Sequence, residues 1–316
     1  MVRTRLAAAL LLLSSAALAG PSEVVGRYLA APDGSEAEAA ALSELSPLFA
    51  ADPGSVEAAI REFSGFPAAA PGPRSVRVPL PDVSIAGIPV ADTLAVVWVP
   101  RGYDPSRSWP AILLSHGTGG GAARLVRSLA PLADAHGYLL VCPEEEFGPR
   151  DGWGFNEYQH AMHLSALAWL KRSYNVDDSR VFVHGGSRGG HASWDLACSY
   201  PDLFAGAVPV SGILPDRHFR YLPSLRHVAV LSMQGLRDSK NLVENFRAAV
   251  KRLQGWEYDV TVREDPEAGH FFPVDWDEVA AWMEKRRRPD HPAELVVAAT
   301  RDAKGRAFWV GLRDLR

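Results

Sequence analysis

A serine within a glycine-rich run is the residue of this chain best suited to nucleophilic chemistry. Ser187 lies in the sequence Gly-Gly-Ser-Arg-Gly-Gly over residues 185–190. The apolar run Val181–His184 predicts a strand before it, and the pattern Gly189–Ser199 predicts a helix after it. A sharp strand-to-helix turn requires glycine two residues either side of the serine and leaves its hydroxyl projecting above the sheet. The alternative is a plain glycine-rich turn, because Gly-x-Ser-x-Gly alone occurs by chance in many chains.

A serine hydroxyl is a poor nucleophile at neutral pH, so it needs a base and a carboxylate that orients the base. Asp238 follows the predicted strand Val228–Ser232, and His270 follows the predicted strand Tyr258–Val262. The chain order serine, acid, histidine is the order found in hydrolases whose nucleophile lies on a strand-to-helix turn. The sequence therefore predicts Ser187, Asp238 and His270 as nucleophile, acid and general base.

Rival interpretations stay open for two of these residues. His270 is one of ten histidines and could be a surface loop residue. Asp265, Asp275 and Asp277 are close to His270 in sequence and compete with Asp238, although an aspartate after a strand is often a helix cap. Asp238 is preferred because it alone follows the end of the preceding strand.

The negative charge that develops on a carbonyl oxygen during attack needs preorganised donors, usually two backbone N–H groups. The glycine-rich loop His116–Gly121 follows the predicted strand Ala111–Ser115 and could supply one from Thr118 or, as the second choice, from Gly117. The backbone of Arg188 would supply the other. The loop lacks the lysine and spacing of a phosphate-binding loop, and His116 is interpreted as a structural brace.

Buried strands and helices alternate along the chain from Val76 to Arg287, which predicts a mainly parallel sheet with helices on both faces. Reactive residues are then expected at the carboxyl ends of the strands. Two strands of antiparallel character are predicted within Val76–Pro100. The later predicted strands are Ala111–Ser115, Tyr138–Val141, Val181–His184, Ala207–Val210, Val228–Ser232 and Tyr258–Val262. The predicted helices are Ala122–Ala135, Glu157–Ser173, Gly189–Ser199, Lys240–Leu253 and Asp277–Arg287.

Composition changes along the chain predict four segments. Residues 1–19 have a basic start, a short apolar middle and small residues before Gly20, which is typical of a secretory signal peptide; an uncleaved membrane anchor is the alternative. Residues 20–75 are predicted as a helical extension, including a helical stretch Ser35–Phe63, and a Pro/Ala-rich linker. Residues 76–288 form the predicted catalytic domain. Residues 289–316 are predicted as a β-rich tail, with strands at Leu295–Thr300 and Ala307–Leu312, and are interpreted as a minimal or incomplete β-module.

Charge and cysteine content limit the partners and the compartment. The net charge of −4 gives no electrostatic reason to expect nucleic acid or an anionic membrane surface as a partner. With two cysteines in 316 residues, the chain is not a disulfide-built scaffold. Cys142 and Cys198 are predicted to be two free core cysteines, with a disulfide between them as the alternative. No stable membrane insertion is expected after signal cleavage, and the oligomeric state stays open.

Residues Val76–Arg287 resemble the α/β-hydrolase superfamily, and within it the secreted esterases grouped with polyhydroxybutyrate depolymerases and feruloyl esterases. The stretches that carry the resemblance are Leu114–Gly120, Tyr174–Val181 and Ser199–Gly212. The resemblance implies a mainly parallel eight-stranded sheet, with Ser187 as nucleophile and Asp238 and His270 as its partners. The sequence departs from that of many relatives at Gln234, where they carry histidine, and at Arg188, where methionine or alanine is commoner.

Substrate contacts are predicted from two loops. Trp153 and Phe155, in Phe147–Phe155, would supply aromatic faces, and Ile213–Tyr221 a second wall. The Arg188 side chain would favour an acidic or hydrogen-bonding substrate group; a salt bridge to a neighbouring loop carboxylate is equally compatible with the sequence.

The predicted function is a secreted or periplasmic serine hydrolase that cleaves small or polymeric carboxylic esters through an acyl-enzyme, with no metal and no cofactor. A serine peptidase of the prolyl-oligopeptidase type is the first alternative, because the same triad on this sheet also cleaves amides. It ranks lower because the residues before Val76 are too few for a propeller domain. A binding protein that retains the fold without activity is the second alternative.

Overall fold

The computed structural model describes residues 19–31, 35–80, 83–85, 87–145, 156–214 and 216–298, together with 306–307 and 310–311. The chain divides into two compact units, Met1–Gly65 and Phe66–Arg316. The predicted signal peptide lies almost wholly outside the described residues. Within those residues, no helix has both the length and the apolar character needed to cross a membrane.

The first unit contains three helices around a small apolar core. They are α1 (Pro21–Ala30), α2 (Glu36–Ala51) and α3 (Pro53–Glu62). The predicted single helical stretch Ser35–Phe63 is interrupted at Asp52, whose carboxylate accepts a hydrogen bond from Ser55 N at 3.2 Å. Because Asp52 caps a new helix and Pro53 can occupy only its first turn, the helix cannot run straight through. Val25, Val56 and Ala59 form the buried core of this unit.

The second unit is built on an eight-stranded sheet, as predicted. The strand order is β1-β4-β6-β5-β7-β8-β9-β10; β1 with β4 and β4 with β6 are antiparallel, and the other pairs are parallel. Its strands are β1 (Gly72–Pro79), β4 (Asp92–Val99), β5 (Trp109–Ser115), β6 (Leu139–Pro143), β7 (Val176–Gly186), β8 (Gly206–Val210), β9 (Ala229–Gly235) and β10 (Val260–Asp265). A separate short hairpin joins β2 (Ser84–Ile85) to β3 (Ile88–Pro89).

Helices cover both faces of this sheet, because successive strand residues point to opposite sides. Leu113 packs into one buried cluster with α5, α6 and α7, whereas Ile112 and Leu114 pack into the other with α4 and α8. The helices are α4 (Ala122–His136), α5 (Glu157–Ser173), α6 (Arg188–Ser199), α7 (Lys240–Gly255) and α8 (Trp276–Glu284). A 3-10 helical segment, Asp216–His227, precedes β9.

Both cysteines are buried and neither is in a disulfide, as predicted. Cys142 belongs to the cluster beneath α4 and α8, and Cys198 to the cluster on the opposite face of the sheet. A disulfide between them would therefore have to cross the sheet. Burial raises the pKa of the Cys142 thiol well above its ordinary value.

The tail differs from its predicted structure. Residues 295–298 form no strand, although Leu295–Thr300 is rich in strand-favouring residues. Their backbone is held by the 3-10 segment instead: Ala298 N donates to Ser224 Oγ at 2.9 Å, and Glu294 O accepts from His227 Nε2 at 2.6 Å. Of the predicted strand Ala307–Leu312, Ala307 belongs to β11 (Arg306–Ala307), and Val310 and Gly311 form β12 (Val310–Gly311), which pairs antiparallel with β11. The rest of this predicted strand lies outside the described residues.

Candidate active site

Ser187 lies on a strained turn between β7 and α6. Its φ of 58° and ψ of −121° lie in a region that residues other than glycine rarely adopt. The strain is held by hydrogen bonds: Ser187 N donates to Val210 O at 2.8 Å, and His191 N donates to Ser187 O at 3.0 Å. The turn therefore presents the serine side chain at the carboxyl end of the sheet, as the glycine pattern predicted.

Glycines are required beside this turn because other backbone approaches it closely. A Cβ at Gly189 would collide with Ser115 O, and one at Gly185 would collide with the backbone of Gly189. These contacts pack the start of α6 against the end of β5. They explain physically why glycine lies two residues before and two residues after Ser187.

The three side chains predicted as a triad form one hydrogen-bonded chain. His270 Nε2 lies 2.8 Å from Ser187 Oγ, and His270 Nδ1 lies 2.7 Å from Asp238 Oδ2. A carboxylate only accepts, so Nδ1 donates to Asp238 and Nε2 is left to accept the serine proton. The side chain of Asp238 is 6% exposed and that of His270 is 27% exposed. The imidazole thus links a buried carboxylate to a serine on the cavity wall.

Asp238 is held as a carboxylate by its neighbours. Burial raises the pKa of Asp238, but hydrogen bonds from His270, Ser239 N and Gln234 together lower it below its ordinary value. Gln234 Nε2 donates to Asp238 Oδ2 at 2.9 Å. The glutamine that departs from the pattern of many relatives therefore contacts the oxygen that also faces His270.

The loops that carry Asp238 and His270 are tied to each other. Leu236 N donates to Asp265 O, and Arg237 N donates to Ala268 O, each at 2.8 Å. A Cβ at Gly235 would collide with Gly269 O. Because the backbones approach so closely, the ends of β9 and β10 act as one support for the acid and the histidine.

The rival aspartates have other partners. Asp265 accepts from Glu267 N and Ala268 N at 2.9 and 3.0 Å within its own turn. Asp275 caps α8. Asp277 lies 2.8 Å from His136 Nε2. Only Asp238, among these four, is hydrogen-bonded to His270.

The loop predicted to bind an oxyanion lies beside the serine. A Cβ added at Gly117 would lie 3.6 Å from Ser187 Cβ, so this glycine packs against the strand-to-helix turn that carries the serine. Glu144 braces the far end of the loop by accepting from Ala122 N at 2.8 Å. His116 Nδ1 lies 3.0 Å from Gly117 O, as expected for a brace. Thr118 and Gly117 thus stand where a backbone donor is needed, and their role stays a prediction.

A cavity of about 410 Å³ opens above these groups. The described residues that line it are His116, Gly117, Thr118, Gly119, Gly120, Gly121, Arg124, Leu125, Ser128, Gly186, Ser187, Val210, Ser211, His270, Phe271 and Phe272. Phe271 is 87% exposed, and its ring stands edge-on to that of His270 at 4.9 Å. A fully exposed phenyl ring at a cavity mouth suits contact with an apolar substrate group.

Sequence reasoning did not single out Arg124, Ser128, Phe271 or Phe272. The position of Phe271 directly after the candidate base was the one available signal. Trp153 and Phe155, predicted as aromatic walls, lie outside the described residues. Arg188 is not among the described lining residues. Burial raises the pKa of Glu145, and the positive charge of Arg188 only partly opposes this rise. Burial, with the charge of Arg188 as a second cause, lowers the pKa of His191 to about 4.

Solved structures share this fold. The crystal structure of a thermostable esterase aligns with a TM-score of 0.54 at 20% identity over 68% of this chain and 63% of that one. Dipeptidyl peptidase 4 of Porphyromonas gingivalis aligns with a TM-score of 0.54 at 14% identity over 69% of this chain and 36% of that one. At such identities the likeness establishes the fold and does not separate ester from peptide hydrolysis.

Sequence relatives are named as esterases and depolymerases. Acetylxylan esterase A of Aspergillus flavus is 32% identical over 95 residues, 27% of this chain and 30% of that protein. Poly(3-hydroxyalkanoate) depolymerase C of Paucimonas lemoignei is 29% identical over 33% of this chain and 28% of its own. Feruloyl esterase B of Neurospora crassa is 30% identical over 33% of this chain and 39% of its own. The matches span less than two fifths of each of these relatives.

One family model matches residues 91–291, which include every strand from β5 to β10 and the whole Ser187, Asp238 and His270 constellation. The model is named Esterase and described as "Putative esterase". Because the match extends over more than half of the chain, the protein belongs to the Esterase family.

Proposed function

We propose that the protein hydrolyses carboxylic esters through a covalent acyl-enzyme on Ser187. The observation that carries this proposal is the continuous hydrogen-bonded chain from Ser187 Oγ through His270 to Asp238, with distances of 2.8 and 2.7 Å. This series of hydrogen bonds ends at Ser187, on the wall of a cavity large enough for a small acyl or aryl group. Membership of the Esterase family supports ester bonds as the target.

In the first half of the reaction, Ser187 Oγ attacks the ester carbonyl carbon while His270 Nε2 takes the serine proton. Asp238 stabilises the imidazolium that forms. The backbone N–H of Thr118, or of Gly117, and that of Arg188 donate to the oxyanion. His270 then gives its proton to the departing alcohol oxygen, and the C–O bond of the ester breaks.

In the second half, water attacks the acyl-enzyme carbonyl and His270 accepts the water proton. Collapse of the tetrahedral intermediate returns that proton to Ser187 Oγ and releases the carboxylic acid. The proposed reaction uses no metal and no cofactor.

The substrate class proposed is a carboxylic ester in a small molecule or polymer, in line with the names of the relatives. Rates on acetyl, feruloyl and hydroxybutyrate esters would rank these three acyl groups. A serine peptidase is the competing function, and the peptidase in the structural comparison shares the fold. Matched 4-nitrophenyl ester and 4-nitroanilide substrates of one acyl group separate the two functions, and the ester is expected to react faster.

The test of the nucleophile is Ser187→Ala, which should lower ester turnover at least about 10³-fold while folding is retained. A fluorophosphonate probe should label the wild type on the peptide that contains Ser187 and should not label the variant. Ser106→Ala, an exposed serine hydrogen-bonded to Asp104, is the matched control and should keep full labelling. Unchanged turnover in Ser187→Ala would refute the proposal, and so would a wild type that resists the probe.

Export is part of the proposal and is supported by the pattern of residues 1–19. The first described helix begins at Pro21, directly after the proposed cleavage site. Exported protein from a bacterial host should begin at Gly20 on amino-terminal sequencing. Ala19→Phe should block cleavage, because the site admits only small residues; export without processing in the wild type would contradict a cleaved signal.

A further inference from the structure

One wall of the cavity carries a cation with no partner in the described structure. Arg124 lies in the first turn of α4 and lines the cavity together with Ser187 and His270. Its side chain forms no ion pair or hydrogen bond with any residue that the structure describes. Other arginines of the same unit face carboxylates, such as Arg247 with Glu264 and Arg286 with Asp259. A guanidinium with no acceptor among the described residues can bind a carboxylate in a two-pronged geometry.

The charged groups around the cavity also favour a bound anion. Within the described ranges, no aspartate or glutamate lines it. The carboxylate of Glu144 is near the loop, but it accepts from Ala122 N at 2.8 Å and lies 3.5 Å from His116 Nε2. The positive end of the α4 dipole lies at the same wall, but the Glu144 carboxylate already caps it, so the attraction comes from Arg124. An anion in the cavity therefore meets attraction and no opposing side-chain charge in the described lining.

We propose that Arg124 binds a carboxylate carried by the substrate, so that the cavity prefers esters that bear a second, negatively charged carboxyl group. The inference rests on the proposed ester hydrolysis at Ser187. The carboxylate could belong to the acyl part, as in the half-ester of a dicarboxylic acid, or to the alcohol part. In both cases the same group would contact Arg124, and hydrolysis of esters that carry the charge on the acyl side or on the alcohol side distinguishes the two.

Two substrate pairs test the proposal. Mono-4-nitrophenyl glutarate and its methyl ester differ only in the charge on the acyl side; 4-acetoxybenzoate and its methyl ester differ only in the charge on the alcohol side. The measured quantity is the ratio of kcat/KM for the charged ester to that for the neutral ester. Each ratio is compared between the wild type and a variant, so the intrinsic reactivity of the esters cancels.

Arg124→Met should lower this ratio about tenfold for one of the two pairs, which identifies the side that carries the carboxylate. Arg124→Lys keeps a point charge without the planar fork and should retain part of the preference. Arg127→Met is the matched control: Arg127 is exposed on the same helix, three residues on, and does not line the cavity. Its ratio should stay within about twofold of the wild type. High salt should lower the wild-type ratio and leave that of Arg124→Met unchanged.

Two results would overturn the inference: a ratio in Arg124→Met that matches the wild type for both pairs, or an equal fall in Arg127→Met, which would indicate a general field. The neutral esters separate this failure from that of the proposed function. If the wild type hydrolyses them, Ser187→Ala does not, and the ratio is unmoved by Arg124→Met, only the inference fails. If the wild type does not hydrolyse them, the proposed function fails and the inference falls with it.

Discussion

Two of the imidazole–carboxylate pairs described in the second unit have a buried carboxylate, and only one of these two faces a nucleophile. His270 joins Asp238 to Ser187 at the cavity. His160 joins Asp195 to another side chain, with its Nδ1 at 3.0 Å from the hydroxyl of Tyr200. The side chains of His160 and Asp195 are 6% and 4% exposed. The second pair is closed on every side that the structure describes, so it links helices and has no room for a substrate.

The difference follows from the elements that carry each pair. Asp238 and His270 lie in loops after β9 and β10, where parallel strands end and the sheet opens. His160 is on α5 and Asp195 is on α6, two helices on the same face of the sheet. Burial, with the charge of Asp195 as a second cause, raises the pKa of Tyr200 to about 12, so this hydroxyl keeps its proton. A histidine next to a carboxylate therefore indicates catalysis only where its other nitrogen meets a reactive group in an open cavity.

The same substitution in the two pairs should have opposite consequences, and its largest effect is on activity. Asp238→Asn should lower kcat about 10³- to 10⁴-fold, because an amide no longer fixes the tautomer of His270 or stabilises its charged form. Asp195→Asn should leave kcat within about threefold. Ester turnover by purified, folded variants measures both. Equal losses of activity in the two variants would contradict the conclusion that only the Asp238–His270 pair is catalytic.

Stability should show the reverse order. Asp195→Asn should lower the free energy of unfolding by about 2 to 3 kcal/mol, because the buried His160 and its neighbours lose a charged acceptor. Asp238→Asn should cost less, since its loop is nearer the surface. Urea unfolding followed by circular dichroism gives both values. A more stable Asp195→Asn protein would show that the interior pair is not a structural link.

Another buried imidazole, that of His184, extends the contrast to pH. Burial lowers the pKa of His184 from 6.5 to about 4, although its Nδ1 donates to Val208 O at 2.7 Å. The unfolded chain takes up a proton below pH 6.5 that the folded protein refuses, so stability is full above that pH and is lost as the pH falls towards 4. At pH 5 the loss from this group is about 2 kcal/mol.

His184→Gln keeps a donor but cannot titrate, so it isolates that contribution. The difference in unfolding free energy between pH 7 and pH 5 should be about 2 kcal/mol smaller in the variant than in the wild type. Denaturant titrations at the two pH values measure it. If both proteins lose stability equally on acidification, His184 is already protonated in the fold.

The smallest effect is expected at the mouth of the cavity. Phe271→Ala should raise KM for an aryl ester about threefold to fivefold with little change in kcat, since the ring packs edge-on against His270 but makes none of the hydrogen bonds of the triad. Ile88→Ala is the control, because Ile88 is 70% exposed and does not line the cavity. Stability should be unchanged in both. A loss of kcat in Phe271→Ala would instead assign the ring to positioning of His270.

Local patterns were sufficient to predict most of the sheet and the three residues of the hydrogen-bonded chain, but not Arg124 or Phe271. The turn at Ser187 is specified by glycines within a few residues, and Asp238 and His270 each follow a strand directly. The prediction was poorer where a competing contact decides the structure. The break at Asp52 depends on a cap, and residues 295–298 bond to the 3-10 segment in place of a strand. Neither contact leaves a pattern of apolar residues in the sequence.

Residues close in the chain specify the alternation of strands and helices, the turn that presents Ser187 and the chain order of the three reactive residues, so these features can be read from the amino-acid sequence. The folded chain is needed to show which of four aspartates contacts His270, that His160 and Asp195 are enclosed, and that Arg124 and Phe271 border the cavity. Those outcomes depend on how distant loops and helix faces meet in space. Residue type and spacing do not specify these contacts, because a side chain on α4 approaches Ser187 only when the sheet has brought β5 beside β7.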